Sequence, residues 1–449
     1  MSKFALILLV FCLLCLSQIA VASPEDASTA EEFIGMLVKG DYTNAVDRLD
    51  SSMRAALPTD KLKDVWKSIT DRYGQFKRHI RTSSAKIQDY DAVILTCEFE
   101  KSCVEIRVIF SALHRISGLW FSPGPCNDEY KQPSYVKSYT FKQKEVAVGS
   151  AEWSLPGTLY MPQGESAVPA VVMVHGSGPQ DRDETIGPNK PFRDLAMGLA
   201  SRGIAVLCYE KRTKQYGAKI ALMESSVTVK EEVVDDAVAA VALLKRTGSV
   251  DPRRIFVLGH SLGGMMIPRI AKADPDIAGL IVMAGTSRPL EDVILEQTVY
   301  LFSAKGSLSA DDQKAIDTVK QQVARVKEAS LSASTSPSAL PFGIPANYWL
   351  DLRGYDPPKA AADLTQPILI LQGGRDYQVT SSDYERWKEA LSNRKNVEFK
   401  LYPDLNHLFM TGQEKSTPAE YNVPGNVVEK VVVDIAEWVK ANGIENPKS

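Results

Sequence analysis

The 449-residue sequence is poor in the features that mark nucleic-acid-binding, membrane-surface and metal-binding proteins. Its 52 Lys and Arg are outnumbered by 55 Asp and Glu, which gives a formal net charge of -3. We therefore predict no basic surface for nucleic acid and none for an anionic membrane. It has only 5 histidines, no His-Glu-x-x-His motif and, after the apolar N-terminus, no Cys-x-x-Cys motif, so we expect no metal and no cofactor.

Long hydrophobic runs are also scarce, and the clearest one lies at the N-terminus. Lys3 precedes the apolar stretch from Phe4 to Leu16, and Ala20 and Ala22 lie where a signal peptidase reads small residues. The stretch is short for a membrane span and has no charged stop after it. We predict a signal peptide over residues 1–22, cleaved near Ala22, no membrane span after cleavage, and a secreted or periplasmic protein. An uncleaved anchor is the alternative.

Few cysteines remain after the predicted signal: Cys97, Cys103, Cys126 and Cys208. An exported chain permits disulfides. Cys97 and Cys103 flank the segment EFEKS, an expected hairpin tip, and could pair across it; Cys126 is the other candidate partner. Cys208 ends the apolar run IAVLC and is predicted to be a free core residue. The sequence leaves the pairing open.

The chain is long enough for two or three domains, and its first block changes pattern midway. From Ser28 to about Gly74, apolar residues recur every three or four positions, as on amphipathic helices. After Arg81 the period becomes two: VEIRVIF, with AVILTCEF before it and RISGLWF after it, predicts a three-stranded meander. We predict a small α+β accessory domain over residues 23–130, followed by a linker in the breaker-rich Ser122–Pro133.

From about Tyr135 onward, short apolar runs alternate with helical patterns, which predicts a parallel sheet covered on both faces, within a catalytic domain spanning 135–449. The runs are AVVMVHG (170–176), IAVLCYE (204–210), IFVLGHS (255–261), LIVMAG (280–285) and PILILQGG (367–374). One long interval, at about 287–360, contains a polar-faced helix, Ser309 to Ala329. We predict that this insert is a lid over a site; a solvated decorative insert is the alternative.

The pentapeptide Gly259-His260-Ser261-Leu262-Gly263 follows the apolar run IFVL and precedes the helical pattern MMIPRIAKA. Gly-x-Ser-x-Gly between a strand and a helix is the pattern of a nucleophile elbow, in which glycines allow a tight turn that exposes the serine. Ser261 is therefore the candidate nucleophile. The alternative is that the glycines only pack the helix against the sheet.

A base and an acid are expected after the serine in this strand-helix order. His407, in YPDLNHLF, is the only histidine after Ser261 and is the predicted base. Asp376, directly after the strand PILIL, is the predicted acid that orients the imidazole; Asp404 is its main competitor. Three further aspartates in or beside the insert are expected to be structural: Asp351, Asp356 and Asp363.

An oxyanion hole requires backbone N–H donors that are already in place. Leu262, the residue after the nucleophile, is one predicted donor. The second is expected from the loop HGSGPQDRDE, residues 175–184, after the strand AVVMV. Ser177 is the predicted residue, with Gly178 as the alternative.

These motifs together resemble the α/β-hydrolase superfamily, on its serine carboxylesterase and peptidase side, over residues from about 140 to 442. The matching pieces, in order, are HGSGPQDRD, YEKR, RIFVLGHSLGG, LQGGRDYQV and NHLF. The resemblance implies an α/β-hydrolase fold with a mostly parallel sheet and a helical lid insert. The first block resembles a small domain of unknown function, of nuclear-transport-factor-like type, which often precedes secreted bacterial hydrolases.

The function predicted from these residues is a secreted serine hydrolase that cleaves carboxylic esters, with a small-molecule ester or short acyl substrate. A serine peptidase or amidase with the same triad is the alternative. Glu210 could grip a substrate amino group, but an ion pair with the adjacent Lys211 or Arg212 is the favoured interpretation. A non-catalytic ligand-binding protein is the third hypothesis.

Overall fold

A computed structural model describes residues 23–442 except 88–89, 125–129, 165, 223–226, 305 and 414–415. The predicted signal segment, 1–22, and its cleavage near Ala22 lie outside the described residues. No helix in the described part of the chain is long and apolar enough to cross a membrane.

The N-terminal block consists of helices followed by a four-stranded antiparallel sheet, as the α+β prediction requires. The helices are α1 (Pro24–Lys39), α2 (Tyr42–Val46), α3 (Ser51–Ala56) and α4 (Thr59–Tyr73). The strands, in their order across the sheet, are β1 (Phe76–Ile87), β2 (Tyr90–Phe99), β3 (Cys103–Phe110) and β4 (Ile116–Gly124). The predicted meander is β2 to β4. The sequence of β1, FKRHIRTSSAKI, is too polar to predict a strand.

The core of this block lies between the sheet and the helices α1 and α4. The alternating side chains of β3, from Val104 to Phe110, are at most 2% exposed on their inner face and share one cluster with Leu62 and Trp66 of α4. The Trp66 ring lies 5.8 Å from the ring of Phe99. Burial of each such side chain stabilises the fold by about 1.5–3 kcal/mol. The apolar residues with helical spacing and those with strand spacing thus pack into one core.

The cysteines correct one expectation and confirm another. Cys103 is disulfide-bonded, whereas Cys97 is a free, fully buried thiol. Pairing of Cys97 with Cys103 across the hairpin is therefore wrong: Cys97 points into the core of the block, where burial raises its thiol pKa to about 12. Cys126, the other candidate partner, lies outside the described residues. Cys208 is a free core thiol, as predicted.

The second block is built on an eight-stranded, mostly parallel sheet, which confirms the α/β prediction. Its strands are β5 (Phe141–Val148), β6 (Leu155–Pro162), β7 (Val168–Val174), β8 (Ala205–Tyr209), β9 (Val250–His260), β10 (Gly279–Met283), β11 (Ile368–Gly373) and β12 (Val397–Tyr402). Their order across the sheet is β12-β11-β10-β9-β7-β8-β6-β5. Strands β7 to β12 pair in parallel, and β6 joins β5 and β8 antiparallel.

Helices cover both faces of this sheet. They are α5 (Pro191–Ala200), α6 (Arg212–Gln215), α7 (Gly217–Leu222), α8 (Asp235–Lys245), α9 (Leu262–Ala273), α10 (Leu290–Ser303), α11 (Ala310–Lys327), α12 (Ala346–Leu352), α13 (Pro357–Ala362), α14 (Ser381–Leu391) and α15 (Glu429–Asn442). A π-helical turn, Lys230–Val234, precedes α8. Successive residues of a strand face opposite sides: Val172 packs with α8 and α9, and Val171 with α5 and α15.

The long interval between β10 and β11 holds four helices, α10 to α13. Its predicted polar-faced helix is α11, which begins at Ser309 with a capping box to Asp312. The insert has a small core of its own, in which Val319 and Val323 of α11 meet Trp349 of α12. The described insert is thus a folded unit, and its role as a lid stays a prediction.

Candidate active site

Ser261 lies in a strained turn between β9 and α9. Its φ is 53° and its ψ is -114°, a conformation that non-glycine residues rarely adopt. Two hydrogen bonds fix the turn: Ser261 N–H donates to the Met283 carbonyl at 3.0 Å, and Met265 N–H donates to the Ser261 carbonyl at 3.0 Å. Backbone strain of this kind, held by the surrounding structure, is typical of functional positions.

The two glycines of the pentapeptide are required by close backbone contacts. A Cβ on Gly259 would lie 2.3 Å from the Gly263 carbonyl oxygen, and one on Gly263 would lie 2.3 Å from the Val174 carbonyl oxygen. No side chain fits at either position. Packing and exposure of the serine are therefore not alternatives, because the tight packing of α9 against β7 and β9 forms the turn that presents Ser261.

His407 and Asp376 form a buried pair near this turn. His407 Nδ1 lies 2.6 Å from Asp376 Oδ2, and the two residues are 3% and 6% exposed. The second carboxylate oxygen of Asp376 accepts the N–H groups of Gln378 at 2.8 Å and Val379 at 3.0 Å. The competitor Asp404 is exposed. The geometry is that of an acid orienting a histidine, and the catalytic roles stay predictions.

The His407 loop is tied to the serine turn through His260. His260 Nε2 lies 3.0 Å from the His407 carbonyl oxygen, and the two imidazole rings are 4.6 Å apart. Within the loop, the Asn406 side-chain oxygen accepts the N–H of Leu408 at 3.0 Å. The structure thus places the predicted nucleophile after β9, the acid after β11 and the base after β12, at the carboxyl ends of parallel strands of one sheet.

The loop after β7 lies against the nucleophile. A Cβ on Gly176 would come within 3.2 Å of Ser261 Cβ. Gly176 N–H already donates to Glu184 Oε1 at 2.7 Å, so it is engaged. Among the hydrogen bonds between described residues, none uses the N–H of Ser177 or of Leu262. Both predicted oxyanion donors are therefore available, and their role stays a prediction.

Glu184 and His260 form a buried pair beneath the Ser261 turn. The sequence did not predict this pair. Glu184 Oε2 lies 2.9 Å from His260 Nδ1, and the residues are 1% and 3% exposed. Burial raises the pKa of Glu184, but His260, His175 and the Gly176 N–H together outweigh burial and lower the pKa overall. Burial lowers the pKa of His260, but the Glu184 carboxylate, the His407 carbonyl and Asp376 together outweigh burial and raise the pKa overall.

Two more buried ion pairs follow β8, and these were also missed. Lys211 Nζ lies 2.7 Å from Glu232 Oε1, and Arg212 Nε lies 3.0 Å from Asp236 Oδ2. A signal was present, because charged residues directly after a continuous apolar strand need buried partners. Glu210 is ion-paired as expected, but with Arg182 at 2.9 Å, since Lys211 and Arg212 point into the protein.

Of the three aspartates expected to be structural, Asp351 and Asp356 make structural side-chain contacts. Asp351 binds Arg269 at 2.9 Å, Asp356 caps α13, and Asp363 ends α13. His175, the strand-end histidine, is wedged between the rings of Phe192 and Tyr209 at 5.1 and 5.4 Å. Burial lowers the pKa of His175 to about 4, so the imidazole is neutral at neutral pH and packs as an aromatic ring.

A cavity of about 310 Å³ opens between α10 of the insert and the loop that carries Asp376. The Tyr300 ring of α10 stacks on Tyr377 with centroids 4.9 Å apart. Other residues that line the cavity include Glu296, Arg375, Thr380 and Ser416. The insert therefore borders the acid side of the site.

The chain is similar in sequence to known hydrolases. The family of serine aminopeptidases S33 matches residues 170–414, and a protein family of unknown function, DUF3887, matches residues 30–119. Esterase EstD of Thermotoga maritima is 37% identical over 410 residues, which cover 91% of this chain and 93% of that protein. Monoacylglycerol lipase of Mycolicibacterium smegmatis is 24% identical over 48% of this chain and 75% of that one.

Solved structures are similar at a lower level. Est1E of Butyrivibrio proteoclasticus matches with a TM-score of 0.42 at 16% identity, over 66% of this chain and 98% of that chain. The Pyrococcus furiosus esterase Pf2001 matches with a TM-score of 0.43 at 16% identity, over 70% and 97%. The family assignment rests on the sequence matches: this chain belongs to the serine aminopeptidase S33 family of α/β-hydrolases.

Proposed function

We propose that this protein is a secreted serine esterase that cleaves small-molecule carboxylic esters through an acyl-enzyme intermediate. Its class, a carboxylesterase-type hydrolase, follows from its relationship to Esterase EstD over 91% of the chain. The observation that carries the mechanism is the strained Ser261 turn next to the buried His407–Asp376 pair, whose nitrogen and oxygen are 2.6 Å apart. These groups have the chemistry of a nucleophile, a general base and an orienting acid.

In the first half of the reaction, Ser261 Oγ attacks the acyl carbon of the ester while its proton passes to His407 Nε2. The carbonyl oxygen becomes an oxyanion, which the N–H groups of Leu262 and Ser177 stabilise. The tetrahedral intermediate collapses, the C–O bond to the leaving group breaks, and the alcohol takes the proton from His407. An acyl ester on Ser261 remains.

In the second half, water attacks that acyl ester and gives its proton to His407. Collapse of the second tetrahedral intermediate releases the carboxylic acid and returns the proton to Ser261. Throughout, Asp376 keeps the proton of His407 on Nδ1 and stabilises the imidazolium that forms in each half. Because the two groups are buried, this electrostatic contribution is stronger than it would be in water.

An ester fits the charges around the site better than an amino-terminal peptide does. An aminopeptidase needs a free carboxylate to hold the substrate ammonium group. Glu296, at the cavity, is paired with Arg288 at 2.5 Å, and Glu210 with Arg182 at 2.9 Å. Glu420, beside the acid loop, is paired with Arg375. These arginines neutralise the carboxylates that could otherwise bind an ammonium group.

Export is part of the proposal and rests on the N-terminal segment 1–22 and on the disulfide of Cys103. Disulfides persist mainly in oxidising compartments. The intact mass of protein recovered from outside the cytoplasm should correspond to a chain that begins at Ser23. A full-length chain retained in the cytoplasm would contradict export.

The catalytic proposal is tested with variants of the triad and a matched control. Ser261→Ala and His407→Ala should abolish hydrolysis of p-nitrophenyl butyrate, and a fluorophosphonate should label wild type once per chain and neither variant. Asp404→Asn, at the exposed aspartate near His407, should retain wild-type turnover. Full turnover by Ser261→Ala would contradict the mechanism. Faster cleavage of aminoacyl p-nitroanilides than of the matched esters would favour the peptidase.

A further inference from the structure

The peptide bond between Gly176 and Ser177 is held by a buried charge. Lys211, which is 2% exposed, places Nζ 2.7 Å from the Gly176 carbonyl oxygen. That carbonyl belongs to the same planar unit as the N–H of Ser177, the predicted second oxyanion donor. In a trans peptide the C=O and N–H point in opposite directions, so holding the carbonyl sets the direction of the N–H.

The preceding peptide is anchored as well. Gly176 N–H, in the unit that joins His175 to Gly176, donates to Glu184 Oε1 at 2.7 Å. Gly176 therefore has a buried carboxylate on its N–H and a buried ammonium group on its carbonyl. A glycine is conformationally free, and a side chain at this position would be crowded, because Ser261 Cβ lies 3.2 Å from where its Cβ would be. External anchors replace the rigidity that a side chain would provide.

Stability alone gives little reason for a charge at Lys211. Its counter-ion is Glu232, 2.7 Å away, which also accepts the hydroxyl of Tyr348 at 2.8 Å. Buried ion pairs of this kind are often no more stabilising than apolar residues of similar size, because both charges lose water. The Lys211 charge is buried at a cost, and it contacts the Gly176 carbonyl, in the same peptide unit as the predicted donor N–H of Ser177. This position points to a role in the reaction.

We propose that Lys211 is a positioning residue of the oxyanion hole. It orients the Gly176–Ser177 peptide so that the Ser177 N–H faces the oxyanion, and its charge polarises that peptide so that the N–H is a stronger donor. Glu232 holds Lys211 in place, and Tyr348 of α12 connects this support to the insert. The inference rests on the proposed serine-hydrolase function.

The test compares two double variants that each remove one buried ion pair after β8. Lys211→Met/Glu232→Gln removes the pair that holds the peptide and leaves no orphaned charge. Arg212→Met/Asp236→Asn removes the neighbouring pair, which is equally buried and makes no described hydrogen bond to the loop of residues 175–184. Each protein is assayed for kcat and KM with p-nitrophenyl butyrate and for Ki with an alkyl trifluoromethyl ketone, whose serine adduct carries an oxyanion.

We expect the Lys211 variant to lose about 10²-fold in kcat, comparable with the loss of one oxyanion donor, while KM changes less than about threefold. The Ki of the trifluoromethyl ketone should rise by a similar factor, since the adduct needs the same donor. The Arg212 control should match wild type in kcat and in Ki. A role in folding alone would affect the two double variants alike and would leave Ki unchanged.

Equal kcat and Ki in the two double variants would overturn the inference. If the Lys211 double variant does not fold, Lys211→Gln, which removes the charge and keeps a donor, is measured in the same way and must show the same joint change in kcat and Ki. The parent proposal is separable: turnover by Ser261→Ala contradicts the hydrolase mechanism, whereas an inactive Ser261→Ala with a fully active Lys211 variant contradicts only the role of Lys211.

Discussion

Glu184 links three parts of the site through one carboxylate: the Gly176 N–H, His260 and, through His260, the His407 loop. It adopts a φ of 51°, which is unfavourable for a glutamate. Such a conformation persists only where the contacts of the side chain outweigh the strain. Its pair with His260 therefore contributes to stability as well as to the shape of the site.

The contribution of this pair depends on pH in a predictable direction. The pKa of His260 is raised above 6.5 in the folded protein. Protonated His260 therefore stabilises the fold fully below pH 6.5, and this contribution is lost as pH rises through the raised pKa. The pKa of Glu184 is lowered below 4.5, so its stabilisation is present above that value and is lost as pH falls through the lowered pKa. Both contributions are therefore present together between about pH 4.5 and 6.5.

We expect Glu184→Gln to lower the unfolding midpoint temperature most between about pH 4.5 and 6.5, with a difference from wild type that shrinks toward pH 9. Thermal unfolding of both proteins over this pH range measures it. Glu437→Gln, at an exposed position on α15, is the control and should follow wild type at every pH. A difference that grows from pH 6.5 to pH 9 would contradict the assigned direction of the His260 pKa.

Individual residues of the site differed in how well the sequence predicted them. Ser261 has a motif with a strict context, and His407 is the only histidine after it, so both could be named without coordinates. Glu184 lies in no motif, and the position of Lys211 just after β8 indicates burial but not which groups it contacts. Their importance comes from which backbone groups they reach across the fold, and no local spacing encodes that.

The elbow between β9 and α9 makes a prediction about backbone packing. Gly263→Ala places a methyl group 2.3 Å from the Val174 carbonyl oxygen, so α9 must move away from β7. We expect loss of fluorophosphonate labelling and a markedly lower midpoint of thermal unfolding. The clash lies between backbone atoms, which cannot move aside by changing a rotamer.

Gly248→Ala is the matched control for this substitution. A Cβ at Gly248 meets no atom within 4 Å, so labelling and stability should stay close to those of wild type. Wild-type labelling of Gly263→Ala would show that the close approach of α9 to β7 is not needed to present Ser261.

In the second block, the sequence predicts the strands that contain continuous apolar runs and misses the antiparallel strands β5 and β6. β7, β8, β10 and β11 are almost entirely buried, as is the second half of β9, so their sequences contain continuous apolar runs. β5, with the sequence FKQKEVAV, lies at the sheet edge and has four consecutive exposed residues. Charged residues at a sheet edge disfavour pairing with other chains. They also interrupt the two-residue alternation of apolar residues by which a strand is predicted.

The segment that joins the two blocks is anchored to the catalytic one. The Tyr130 hydroxyl donates to Asp194 Oδ1 at 2.7 Å, and the Tyr135 hydroxyl donates to the Val427 carbonyl at 2.8 Å. Asp194 is fully buried, and burial raises its pKa to about 6. Tyr130, which precedes the predicted boundary at 135, thus contacts the second block.

A chain that begins at residue 130 should hydrolyse p-nitrophenyl butyrate with a kcat close to that of the full protein, because the site is built from later residues. A chain that begins at residue 137 should unfold at a lower temperature, because Asp194 loses the Tyr130 hydroxyl and keeps its desolvation cost. Thermal unfolding and ester assays of both truncations measure this. A folded but inactive chain from residue 130 would mean that the N-terminal block contributes to the reaction.

The position of the insert also bears on how new substrate ranges can evolve in this chain. It enters between β10 and β11, after the strand that supports Ser261 and before the loops of Asp376 and His407, so its length and sequence can drift without moving those strands. Several contacts between the insert and the rest of the block restrict that freedom, and one of them reaches Lys211. Tyr348 reaches Glu232 and, through it, Lys211, so recombination that exchanges the whole insert needs a tyrosine at this place to keep the recipient's chemistry.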